Sequence, residues 1–220
     1  MGHWIQLDTA QGAVSAWRAD PDGIPRAGLI VIQEIFGANA HIRTVADGFA
    51  AEGYAVLAPS FFDPVEREVE LDYDADGFAH GRELVSRLGF DAALDIVRAA
   101  ADVLAPAGNI GTVGYCWGGT LALLCAQRLG LPSVSYYGAR NAGFLAQPLQ
   151  APVMFHFGEH DASIPTETVQ LHRDQLPDSP LYIYPAGHAF NRDVDPHAHH
   201  AESAALARQR TLAFFKEHLA

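Results

Sequence analysis

The stretch that most constrains this chain is Gly114-Tyr115-Cys116-Trp117-Gly118-Gly119. A short β-prone run, Ile110-Gly111-Thr112-Val113, precedes it. Thr120-Leu121-Ala122-Leu123-Leu124-Cys125-Ala126, which reads as a buried helix, follows it. Strand, Gly-rich turn and helix therefore come in immediate succession, with a nucleophilic side chain at the apex of the turn. Such a turn holds its central residue in strained backbone geometry, so that the side chain projects above the sheet edge. Gly114 and Gly118 let strand and helix approach without a Cβ clash. The helix N-terminus brings N–H groups and partial positive charge to the sulfur, which favours thiolate. A cysteine between glycines can equally be an inert, packed residue, so the rest of the chain has to decide.

Composition narrows the choice. Of 220 residues, 49% are hydrophobic, enough for a large core. Single α/β domains commonly reach about 200–250 residues, so residues 1–220 are expected to form one domain. Net charge is −12, from 26 acidic against 14 basic residues, which argues against nucleic acid or an anionic membrane as partner. A small anionic substrate remains open, because one local arginine outweighs a distant field in a cleft. The two cysteines, Cys116 and Cys125, stand nine residues apart across a turn and a helix, too far to bridge. The chain begins Met-Gly-His-Trp, with neither a basic nor an apolar leader pattern. No apolar run approaches the roughly 20 residues that span a bilayer. A cytoplasmic protein, monomeric or a small homo-oligomer, is the expectation.

Residues 3–8 and 13–18 read as an antiparallel hairpin. Residues 28–33 and 54–58 are continuous apolar runs suited to strands buried on both faces. Residues 42–52 read as a short helix ending at Gly53. Residues 60–81 are acidic with scattered aromatics and read as a long loop with room for one helical turn, the kind that often covers a site. Apolar spacing then predicts a helix over 82–104, strands at 134–138, 153–158 and 181–184, and helices at 167–176 and 199–219. Strands alternating with helices imply an α/β class with a mostly parallel sheet covered on both faces.

The elbow resembles the nucleophile elbow of α/β-hydrolases, with cysteine in the serine position. In that fold an acid and a histidine follow on loops after later strands. Here Gly158-Glu159-His160-Asp161 follows the strand ending at Phe157, and Gly187-His188-Ala189-Phe190 follows the strand ending at Tyr184. A loop aspartate is usually solvated and a loop histidine usually idle, but three matches in order on the expected elements point to a triad of Cys116, Asp161 and His188. His188 would act as base, Asp161 would hold its tautomer, and the Trp117 N–H would donate to an oxyanion. Glu34, directly after a buried strand, is a functional candidate rather than a solvated acid, because buried carboxylates are paired. His197, His199 and His200 read as surface histidines and not as metal ligands, since a metal needs donors converging from fixed elements. No metal and no cofactor is expected.

Four motifs together, Gln33-Glu34-Ile35-Phe36-Gly37, the cysteine elbow, Gly158-Glu159-His160-Asp161 with Ile164-Pro165, and Gly187-His188-Ala189-Phe190, resemble the dienelactone hydrolase (carboxymethylenebutenolidase) family over nearly the whole chain. The resemblance implies a cofactor-free hydrolase that opens an enol-lactone to maleylacetate. It implies that Glu34 pairs with the resting cysteine and that the Ile35 N–H is a second oxyanion donor. It also implies that Arg192 binds a substrate carboxylate, with Arg82 and, less directly, Tyr73 as further substrate contacts. Phe36, read from the residues alone, could line an apolar pocket or could equally be core. A carboxylate paired with the cysteine disfavours thiolate, so the resting enzyme is expected to be mostly thiol. A promiscuous carboxylesterase or thioesterase on the same scaffold is the alternative, ahead of a non-catalytic binding protein.

Overall fold

The computed structural model describes residues 2–220. Its packing divides the chain into two compact units, one running to Thr112 and including Leu219–Ala220, the other Val113–His218.

In the first unit β1 (His3–Thr9) and β2 (Gly12–Ala19) make an antiparallel hairpin. Its tight turn needs Gly12, which sits at φ 95. β3 (Gly28–Ile32) and β4 (Ala55–Pro59) run parallel with every residue buried, as their unbroken apolar runs require. β2 pairs antiparallel with β4. α1 (Ala40–Ala51) starts where the Asn39 side chain accepts the Ile42 N–H.

The stretch expected as a loop over 60–81 is shorter than that. α2 spans Ala75–Leu104, capped by Asp74, whose side chain accepts the Gly77 N–H. Asp74 and Asp76 were the sequence signal for this start. Gly77 and Gly81, poor helix formers, masked it, and both are there for close packing. A Cβ on Gly81 would collide with the Ile35 carbonyl, and one on Gly77 with that of Asp72. Gly89, at φ 71, breaks the α2 ladder into two helical segments.

In the second unit β6 (Ser133–Tyr136), β7 (Val153–Gly158) and β8 (Leu181–Tyr184) are parallel, with registers Val134↔Met154 and Phe157↔Ile183. α3 (Trp117–Arg128) is buried at nearly every position, which explains its lack of a polar face. α4 (Thr166–Gln175) and α5 (Ala201–His218) complete the unit, around a core that includes Phe155, Phe157, Phe190 and Phe215. β5 (Ile110–Tyr115) contributes its first half to one unit and its second half to the other. The strand order is β1-β2-β4-β3-β5 in the first unit and β5-β6-β7-β8 in the second, mixed in the first and parallel over β6, β7 and β8 in the second.

Candidate active site

Cys116 stands between β5 and α3 at φ 54, ψ −115, in the left-handed region that side chains rarely enter. The backbone around it leaves no alternative. The Cys116 N–H donates to the Tyr136 carbonyl at 3.0 Å, and its own carbonyl accepts the Gly119 N–H at 3.0 Å. A Cβ on Gly114 would collide with the Gly118 carbonyl, and one on Gly119 with that of Tyr136. Both glycines are thus steric requirements of the elbow. The Cys116 side chain is half-buried, whereas Cys125, inside α3, is wholly enclosed. The Trp117 N–H lies in the first turn of α3, where backbone donors have no helical acceptor.

Asp161 follows β7 in a turn closed by its N–H to the Gly158 carbonyl at 3.3 Å. Its carboxylate is buried and fully directed: Oδ1 accepts the Ser163 N–H at 2.8 Å, and Oδ2 meets His188 Nδ1 at 2.6 Å. The His160 N–H donates to the Ala186 carbonyl at 3.0 Å, tying this turn to the loop that carries His188.

Two histidines of this unit show which force decides the site. His156 is fully buried, its nitrogens bonded to Tyr184 Oη and Thr211 Oγ1. Burial, with a smaller contribution from the Arg210 charge, drives its pKa from 6.5 down to about 3. Burial also works to lower the pKa of His188. There it is overcome by hydrogen bonds to Asp161 and Cys116 and by the negative charge on both, and the value stands raised from 6.5 to about 10. Partners, not burial, thus set the charge of His188. With Asp161 on Nδ1, the bond to Cys116 falls to Nε2. On these groups the balance favours an imidazolium at His188.

Arg192 is 8% exposed and already paired: its Nη1 lies 3.1 Å from Asp195 Oδ2. Asp195 is itself held by the His197 N–H on Oδ1 at 3.1 Å. His200 acts at the start of α5, where its Nδ1 accepts the Ser203 N–H at 3.3 Å. In the first unit Glu34, Ile35 and Phe36 follow β3 and are buried, Glu34 to 2% exposure. The ring of Phe36 meets that of Tyr73 edge-on at 4.8 Å, and the Tyr73 hydroxyl accepts from Asn39 Nδ2 at 2.9 Å. Gly81 packs on Ile35, but its neighbour Arg82 is exposed, its guanidinium 5.8 Å from the centre of the Phe78 ring.

The model of the dienelactone hydrolase family matches residues 14–219. The chain belongs to that family. A provisionally named carboxymethylenebutenolidase of Azospirillum brasilense is 33% identical over 94% of this chain and 95% of its own. A provisionally named dienelactone hydrolase of Klebsiella pneumoniae subsp. pneumoniae superposes with a TM-score of 0.86 at 30% identity, covering 99% of this chain and 98% of the other. A dienelactone hydrolase-like promiscuous phosphotriesterase from metagenomic libraries (TM-score 0.79, 20% identity, 100% and 99% covered) shares the fold. The protein is therefore a hydrolase with the α/β-hydrolase fold, and among its described residues no helix is long and apolar enough to cross a membrane.

Sequence reasoning missed two groups of this dienelactone hydrolase family member. Asp195 stands three after Arg192, a spacing at which a carboxylate can turn back onto the guanidinium, and that local signal was available. Tyr137 carried no such signal. It reads as the end of a strand, yet it lies past β6 at φ 39 with its ring 4.8 Å from that of His188.

Proposed function

We propose that Cys116 is the nucleophile of a hydrolase that opens enol-lactones of the dienelactone type through a thioester. The observation that carries this reading is the hydrogen-bonded series Asp161, His188, Cys116, with the sulfur on a left-handed elbow at a helix N-terminus. The sulfur adds to the lactone carbonyl, and the Trp117 N–H donates to the oxyanion. The C–O bond then breaks, and His188 gives its proton to the departing enol oxygen. In the thioester the negative charge on sulfur is gone, and with it part of what raised the His188 pKa. Burial then weighs more heavily, and His188 becomes basic enough to take a proton from water, which attacks the thioester and releases the acid and the sulfur. Thiolate is a good leaving group. With an unactivated alkyl ester the tetrahedral intermediate would expel sulfur, so a stabilised enol leaving group fits this nucleophile.

The roles of Glu34 as proton acceptor for the thiol and of the Ile35 N–H as second oxyanion donor rest on the family resemblance. So do substrate contacts through Arg192 and Arg82, whereas Phe36 as pocket lining rests only on its place directly after Glu34 and Ile35. One observation favours a second reading, hydrolysis of neutral esters: Asp195 already occupies Arg192. A substrate carboxylate must displace or share that partner, whereas a neutral ester need not.

The test is turnover of cis- and trans-dienelactone beside p-nitrophenyl acetate. Cys116→Ala should abolish turnover of all three while the fold is kept, and Cys125→Ala should stay near wild type. Equal activity of the two variants would overturn the assignment of the nucleophile.

A further inference from the structure

We propose that Tyr137 is a positioning residue for His188, acting through its hydroxyl bond to Asn191. The inference rests on the reading of Cys116, His188 and Asp161 as the triad.

His188 lies on no regular element. It belongs to the segment between β8 and α5, and Ala189 beside it is itself at φ 60. Asp161 holds one edge of the imidazole at Nδ1. That bond sets the tautomer, and the bond to Cys116 lies at the opposite edge, but two bonds in the ring plane still leave the ring free to tilt about the line joining them. A further constraint must come from the ring face and from the loop backbone. Tyr137 supplies both.

The Tyr137 ring is completely buried and packs against the His188 ring at 4.8 Å and 59°, and against Phe190 at 5.6 Å. Its hydroxyl donates to Asn191 Oδ1, three residues beyond His188 on the same loop. Its backbone is anchored independently: the Tyr137 N–H donates to the His156 carbonyl at 2.8 Å. The Tyr136 carbonyl just before it accepts the Cys116 N–H at 3.0 Å. The same short segment therefore grips the nucleophile by its backbone and the base by a side chain. Tyr137 does this at φ 39, a conformation costly to any residue with a Cβ. Such geometry persists only where surrounding contacts over-determine it, and here those contacts converge on His188 and its loop.

A merely structural aromatic needs its ring and not its hydroxyl. Tyr137→Phe keeps the ring and removes the bond to Asn191, and Asn191→Leu removes the same bond from the other side. With p-nitrophenyl acetate each should lower kcat about five- to tenfold with little change in KM, the scale of one lost hydrogen bond. The double variant should be no worse than either single one. A loosened His188 also meets the Cys116 sulfur less well, and that contact helps to raise its pKa. The upper limb of the pH dependence of iodoacetamide alkylation should therefore move to lower pH in both variants. Wild-type kcat and an unmoved alkylation profile in Tyr137→Phe would overturn the proposal. So would losses of activity that merely follow melting temperature, or losses that multiply in the double variant. Cys116→Ala assayed alongside separates the two levels. If it still turns over, the triad reading fails and this inference with it. If it is dead while Tyr137→Phe is normal, only the positioning role fails.

Discussion

Asp161→Asn tests the site at its most constrained bond. The carboxylate has two directed partners, the Ser163 N–H at 2.8 Å on Oδ1 and His188 Nδ1 at 2.6 Å on Oδ2. A backbone N–H can only donate, so an asparagine must keep its oxygen towards Ser163 and turn its NH₂ towards His188. That NH₂ donates to Nδ1 and leaves the imidazole proton on Nε2, the nitrogen that should accept a proton from thiol or water. The tautomer is inverted with almost no change in shape. In a serine triad the equivalent inversion costs about 10⁴ in kcat, and the expected loss here is about 10³–10⁴-fold, or about 4–5.5 kcal/mol of transition-state stabilisation. The His188 pKa should also fall from about 10, because burial would then be opposed by Cys116 alone. This has a signed consequence for stability. In the wild type the folded pKa lies above the ordinary 6.5, so the contribution is complete below pH 6.5 and is lost as pH rises towards about 10. The variant should lose most of that slope. The assays are kcat with p-nitrophenyl acetate at neutral pH, and urea unfolding below pH 6.5 and near pH 10. A loss under about tenfold, or an unchanged pH slope of stability, would refute the assigned roles.

Two further outcomes are expected. Arg192→Ala should lower kcat/KM about ten- to 150-fold for carboxylated lactones and far less for neutral aryl esters; equal losses on both classes would remove the carboxylate clamp. Glu34→Gln should lower kcat for the preferred lactone while iodoacetamide alkylation of Cys116 stays as fast or quickens. Unchanged kcat, or slower alkylation, would show that Glu34 is not the proton acceptor for the thiol.

What was legible in the sequence was whatever depends on neighbours along the chain. The elbow declared itself because its steric demands fall on Gly114 and Gly119, within three residues of Cys116. β3, β4 and α3 declared themselves because burial on all sides leaves no polar alternation. The start of α2 was a local signal overruled by its own glycines, and Asp195 a local signal passed over. The family motifs pointed to Asp161 and His188, but not to the direction in which His188 would titrate. His156, fully buried, and His188, its side chain 27% exposed, belong to the same unit, and nothing in their immediate neighbours along the chain separates a pKa of about 3 from one of about 10. Only the fold decides that, because electrostatic energy depends on distance through space, and Asp161 and Cys116 reach His188 from separate elements. Tyr137 is the extreme case. Its left-handed backbone and its bond to Asn191, 54 residues away, arise where β6, β7 and the His188 loop are packed together. No local preference of a tyrosine would have produced either.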